Sequence, residues 1–235
     1  AGASVFTAIF PSLSSHAAMI IFALAMLLIT FFGGFKAVCW TDFFQGILMF
    51  AALMTVPIVI AITKDMDPAA LSVVYSYKDA VSGEMVECSF GTGLFDASWQ
   101  DIISGLAWGL GYFGMPHILV RFMSIEKPSM VKKSATVAII WVICALGCAC
   151  LIAYFGRMFL AEELLTTGAQ KMVFIDFARK LFPSFIAGVL MAAIIAASMS
   201  TADSQLLVAS SSFTSDIYKP IIRKDADEKE ILWVG

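Results

Sequence analysis

The stretch SHAAMIIFALAMLLITFFG (residues 15–33) carries no Asp, Glu, Lys or Arg. It is about as long as a helix needs to be to cross a bilayer, roughly 20 apolar residues. A helix on the surface of a soluble domain would show a polar stripe; here the only ionisable group is His16, at the edge. Similar apolar blocks recur at 42–62, 99–123, 134–160 and 183–214. The expected fold class is therefore an all-α polytopic membrane protein, with about five transmembrane helices in a single membrane domain covering 1–235.

Composition agrees. The 235 residues are 60% hydrophobic and 14% charged, against about 45–50% apolar and about 25% charged in soluble domains. Mean hydropathy is +0.89. The net charge of −3 offers no basic surface for nucleic acid. Cys39, Cys88, Cys144, Cys148 and Cys150 follow no zinc or redox spacing and mostly sit in apolar segments, where a thiol packs like a small hydrophobe. The chain contains no Asn, hence no N-glycosylation acceptor. Ala1 is not an initiator Met, and an apolar run starts again near Gly235, so the sequence reads as an excerpt of a longer protein.

The connections also have character. Residues 1–13 read as the end of an earlier span or loop, and GGFK (33–36) as a turn between the first two spans. Residues 64–98 form a long polar connection, natural outside the membrane. SIEKPSMVKK (124–133) is a short basic loop, 161–182 a polar loop with helical patterning, and the acidic run from Asp225 to Glu230 a solvated tail. Cations are denser on the side that holds Lys36, the 124–133 loop and the segment after Tyr218. That side is expected to be cytoplasmic, so the first span runs from outside to inside.

Two spans carry polar chemistry. The third, SGLAWGLGYFGMPHI (104–118), crowds Gly105, Gly109, Gly111, Gly114 and Pro116 into a few turns. Each interior Gly costs about 1 kcal/mol against Ala and a Pro about 3, so this helix is weak in its middle. Interrupted spans of this kind point to a transporter binding site, and small residues equally serve close helix packing; composition leaves both open. As one helix, the span would put Trp108, Tyr112 and Pro116 on a shared face at i, i+4 and i+8. His117 reads as a packed neutral imidazole.

The fifth span places Ala197, Ser200, Thr201 and Ser204 on one stripe. Their oxygens suit a hard cation, and back-bonding of each hydroxyl to the i−4 carbonyl is the competing reading. Asp203 lies in the same apolar surroundings, where a carboxylate is expensive and functional by default. Asp42 opens the second span and reads as a charge favoured by a helix N-terminus.

GGFKAVCWTDFFQG (33–46), WGLGYFGMPHILVRFM (108–123) and MSTADSQLLVASSSFTSDIYK (199–219) together resemble the sodium/solute symporter family, most closely its sodium/proline branch. The similarity runs on through EKEILWVG (228–235) and covers essentially the whole chain. The resemblance implies a leucine-transporter-type inverted-repeat core, of which this chain supplies a central stretch. It implies a multi-pass protein of the cytoplasmic membrane that couples sodium to uptake of proline, with no enzyme activity and with the remainder of its own chain as a necessary partner. It assigns Ala197, Ser200 and Thr201 to a sodium site, and Trp108, Tyr112, Pro116 and Gly188 to the solute. Asp42, Asp203 and Ser204 correspond to a second cation site, where Asp203 stands in place of an expected serine and offers a place for a second cation or a proton. Alternatives left by the resemblance are another small solute, such as a different amino acid or pantothenate, or a transporter-like sensor domain of a signalling protein.

Overall fold

A computed structural model describes residues 6–7, 10, 12–78, 83–89, 97–161 and 169–235. The chain is helical in most of these residues, and the helices follow the apolar blocks. Helix α1 is Ser15–Thr63. The expected GGFK turn is reduced to one residue: Gly34, at φ 57° and ψ −168°, kinks an otherwise helical run. A side chain at that φ would crowd the following carbonyl, and glycine has none.

The connection that follows is more ordered than its polar composition suggests. After a short 3-10 turn at Pro68–Ser72, strands β1 (Val74–Lys78) and β2 (Met85–Ser89) pair antiparallel, with Val74 opposite Ser89 and Lys78 opposite Met85. β-Branched and aromatic residues in β1 account for the preference. Ser98 caps the next helix, α2 (Trp99–Gly111): its hydroxyl accepts from Asp101 N–H at 3.2 Å, and the Asp101 carboxylate accepts from Ser98 N–H at 3.3 Å.

Helix α2 stops at Gly111, a 3-10 turn occupies Tyr112–Gly114, and α3 (Pro116–Met123) begins after an extended Met115. Proline suits the first turn of α3, and it pushes the residue before it out of the helical region. Helix α4 is Pro128–Phe159, so Lys132 and Lys133 belong to its first turns and the basic loop shrinks to residues 124–127. Helix α5 is Val173–Leu181, within the segment of helical patterning; residues 162–168 of that segment lie outside the described residues. Helix α6 (Ser184–Ser212) passes into a π-helical stretch at Phe213–Ile222, and α7 is Glu228–Val234.

The expected solvated tail is structured. Asp227 caps α7, and the Glu230 carboxylate accepts from Tyr218 Oη at 2.6 Å and pairs with Arg223 Nε at 3.2 Å. These acids have local donors to bind, which the charge count alone did not reveal.

Among the described residues, Gly34–Thr63, Pro128–Phe159 and Ser184–Ile222 are long and apolar enough to cross a membrane. Only 22%, 17% and 22% of their most apolar windows are buried within the chain. Most of that apolar surface therefore needs lipid or further helices against it.

The chain divides into two compact units. The first comprises Ala1–Leu48, Phe113–Glu126 and Ala193–Gly235. Its interior includes Ala18, Met26, Val38, Ala193 and Ala196, and it also buries Asp42, Asp203, Ser204 and Thr214. The second comprises Met49–Tyr112 and Lys127–Ala192. It is built on apolar contacts: Val56, Ile60, Ile152 and Phe155 are buried, Cys148 Sγ meets Met54 Sδ at 3.2 Å, and the Phe50 and Trp141 rings lie 6.1 Å apart. Cys39, Cys144, Cys148 and Cys150 are free thiols.

Candidate functional site

Two hydroxyls on the polar stripe of α6 are back-bonded to their own helix. Thr201 Oγ1 donates to the Ala197 carbonyl at 3.2 Å, and Ser204 Oγ to the Ser200 carbonyl at 2.8 Å. These are the i−4 back-bonds of a helical hydroxyl. Each uses the single hydroxyl proton and leaves the oxygen's lone pairs available. Ala197 and Ser200 are half-buried and Thr201 is exposed, whereas Ser204 is buried.

Ser204 leads into a polar cluster wholly within the first unit. Asp42 is 7% exposed and Asp203 is 0% exposed. Asp42 lies about two turns inside the helical run that starts at Gly34. The helix-terminus explanation of its charge therefore fails, because the macrodipole acts only over the first turn. Asp42 Oδ2 accepts a charge-assisted bond from the Arg121 guanidinium, and the same guanidinium nitrogen donates to Ser204 Oγ. Ser204 Oγ also lies 3.3 Å from Asp42 Oδ2. One proton cannot serve two acceptors fully, so the shorter bond to the Ser200 carbonyl takes most of it and Arg121 is the main donor to Asp42.

Asp203 is held differently. Thr30 Oγ1 donates to its Oδ1 at 3.2 Å. Asp42 Oδ1, Asp203 Oδ2 and Gln45 Oε1 are buried oxygens with no hydrogen-bond donor among the described residues. All three are acceptors, two of them carboxylate oxygens, so the group they suit is positively charged or a donor. Thr30 also lines a cavity of about 680 Å³ in the same unit, together with Leu27, Phe31, Leu206, Ser210 and Thr214.

The structure thus brings Asp42, Asp203 and Ser204 into one unit and adds Arg121, Thr30 and Gln45, which sequence reasoning passed over. An arginine flanked by apolar residues in ILVRFM (118–123) was itself a signal that a buried acid would pair with it. Thr30 and Gln45 gave no comparable signal.

The proposed solute residues are placed otherwise. Trp108 and Tyr112 are exposed and belong to the second unit, as does Gly188; Pro116 belongs to the first. The common face of Trp108, Tyr112 and Pro116 presupposes an unbroken helix. The helix ends at Gly111, so the spacing alone does not align the three.

Comparison with known proteins bears on what this arrangement belongs to. The model of the sodium:solute symporter family matches residues 1–235. The chain belongs to the sodium:solute symporter family. It is 39% identical over 239 residues to a sodium/proline symporter of Escherichia coli (strain K12), covering 100% of this chain and 46% of that protein. A high-affinity proline transporter of Bacillus subtilis (strain 168) is 41% identical over 206 residues, covering 88% of this chain and 42% of its own length. An osmoregulated proline transporter of the same organism is 40% identical over 210 residues, 89% and 41%. The chain therefore spans a little under half the length of the curated relatives it matches. Membership of this family agrees with the all-α membrane-spanning architecture and with the exposed apolar faces of α1, α4 and α6.

Proposed function

We propose that the full-length protein is a sodium-coupled symporter of proline in the cytoplasmic membrane, acting without covalent chemistry. The observation that carries this reading is the buried pair Asp42 and Asp203. In a family of sodium:solute symporters, each presents a carboxylate oxygen without a donor to the interior of one compact unit. Sodium is a hard cation and takes oxygen ligands. The names of relatives near 40% identity supply proline as the solute.

In this reading Ala197, Ser200 and Thr201 on α6 contribute to one sodium site, and the oxygens of Asp42, Asp203 and Ser204 to a second cation site. Trp108, Tyr112, Pro116 and Gly188 serve the solute. The interrupted stretch around Tyr112–Gly114 supports that role, because backbone groups freed from a helix inside a membrane need protein, water or a ligand. Coupling then requires that cation and solute each raise the other's affinity by the same factor.

Labelled-proline uptake by the full-length protein in proteoliposomes tests the reading. Accumulation driven by an inward sodium gradient is expected. Uptake that persists without sodium and collapses with the pH gradient would transfer the coupling to a proton at Asp203. Absence of proline uptake, with uptake of another amino acid or pantothenate, would replace the solute.

A further inference from the structure

We propose that Arg121 is an exchangeable internal counter-ion, which holds α3 on Asp42 until a metal cation takes its place. The proposal rests on the symport reading and adds a positioning residue to it.

The ion pair is lopsided. The Asp42 side chain is 5% exposed and that of Arg121 is 42% exposed. A carboxylate buried to this degree cannot be left bare without a large desolvation penalty. The guanidinium is the less enclosed partner within this chain, so it is the one that can move away. It also sits in the last turn of α3, where the negative end of the helix favours a cation with or without Asp42. The pair can therefore open in one way only, with Arg121 leaving and another positive charge arriving at Asp42.

The surroundings provide for that arrival. Arg121 occupies Oδ2 of Asp42 and the oxygen of Ser204, while Oδ1 of Asp42 remains without a donor. Asp203 Oδ2 and Gln45 Oε1 are further unpartnered acceptors in the same unit. The cluster holds two buried carboxyl groups and one guanidinium, and the guanidinium is paired with Asp42. A sodium ion entering the cluster meets repulsion from the guanidinium and gains a carboxylate oxygen when the guanidinium leaves.

Arg121 is also the polar tie from α3 to both α1 and α6, through Asp42 and Ser204 respectively. Its release frees the segment that follows the break at Tyr112–Gly114. Cation occupancy at Asp42 and the position of α3 are then two readings of one equilibrium.

The test uses purified full-length protein without solute, reading the sodium concentration at half-maximal thermal stabilisation. In Arg121→Gln that concentration is expected to fall about tenfold, the scale of a coupling between linked sites. The sodium-free unfolding temperature should fall as well, because Asp42 loses its partner. Arg121→Lys, which keeps the charge but loses the planar guanidinium, should lie between parent and Arg121→Gln. A folded Arg121→Gln with an unchanged or higher half-saturating concentration would overturn the proposal. If Arg121→Gln does not fold, Arg121→Lys decides: a lower half-saturating concentration supports the proposal and an unchanged one overturns it. A parent that shows no stabilisation by sodium defeats the symport reading itself. A parent that responds, beside a variant that responds identically, defeats only the role of Arg121.

Discussion

At the scale of single residues, the informative groups are those whose polarity conflicts with their surroundings. Asp203 is fully buried with Thr30 as its hydrogen-bond donor. Asp203→Asn removes the buried charge at nearly constant shape. The variant is expected to unfold at a higher temperature than the parent without sodium, and to lose most of the stabilisation that sodium gives the parent. Thermal scans at graded sodium concentrations read both effects. Equal sodium responses would remove Asp203 from the cation site. Thr30→Val should cost about 1–3 kcal/mol, the penalty of leaving a buried acceptor without its donor, and Thr30→Ser should recover most of it. Ser200→Ala with Thr201→Ala should raise the sodium concentration for half-maximal uptake, and an unchanged value would sink the first-site assignment. The sequence displayed Asp203 plainly, since a carboxylate in an apolar run stands out. Asp42 was legible as a charge, and its burial was not: where the helix begins decides whether the macrodipole explains it, and helix starts are poorly specified when both sides of a boundary are apolar. The bond from Thr30 to Asp203 joins residues far apart in sequence, a relation that no local pattern encodes.

At the scale of elements, the apolar helices could be read directly because hydrophobicity is the force that places them. The break after Gly111 was also legible, since Gly and Pro act through the local backbone and need no tertiary partner. The hairpin of β1 and β2 was missed because the whole 64–98 connection was weighed by its polarity, although VYSYK (74–78) has the β-branched and aromatic content of a strand. The kink at Gly34 was expected as a longer turn. Its single positive φ makes a sharp prediction. Gly34→Ala should destabilise the full-length protein by about 1–3 kcal/mol, the cost of that nearly glycine-only backbone conformation for an L-residue. A Cβ built at Gly34 meets nothing within 4 Å beyond its chain neighbours, so the penalty lies in the local backbone and not in tertiary packing. Gly46, which lies in the helical part of α1 and is equally unobstructed, provides the control. Gly46→Ala should be neutral or stabilising, by up to about 1 kcal/mol, because alanine is the better helix former. Equal effects at the two positions would show that the kink is not what Gly34 provides.

At the scale of the whole molecule, the broken segment sets whether residues 67 and 124 lie on the same side of the bilayer. Helix α2 has 13 residues, about 20 Å at 1.5 Å per residue, short of a hydrocarbon core of about 30 Å. Helix α3 adds 8 residues, or about 12 Å. The two together have the length for one crossing, and α2 alone does not. If they cross, Asp67 and Ser124 lie on opposite sides of the membrane; if the segment enters and returns, they lie on the same side. Cation density predicts that Ser124 and the segment after Tyr218 lie in the cytoplasm. Single cysteines replacing Asp67, Ser124 and Lys224 in an otherwise cysteine-free full-length protein can be probed in intact cells with an impermeant maleimide. Labelling is expected at position 67 alone, with 124 and 224 reacting only after the membrane is opened. Labelling at 67 and 124 together would make the Gly- and Pro-rich segment re-entrant. That result would also move Arg121 away from the cytoplasmic end of a span, so the depth at which Asp42 meets its counter-ion would have to be reassigned with it.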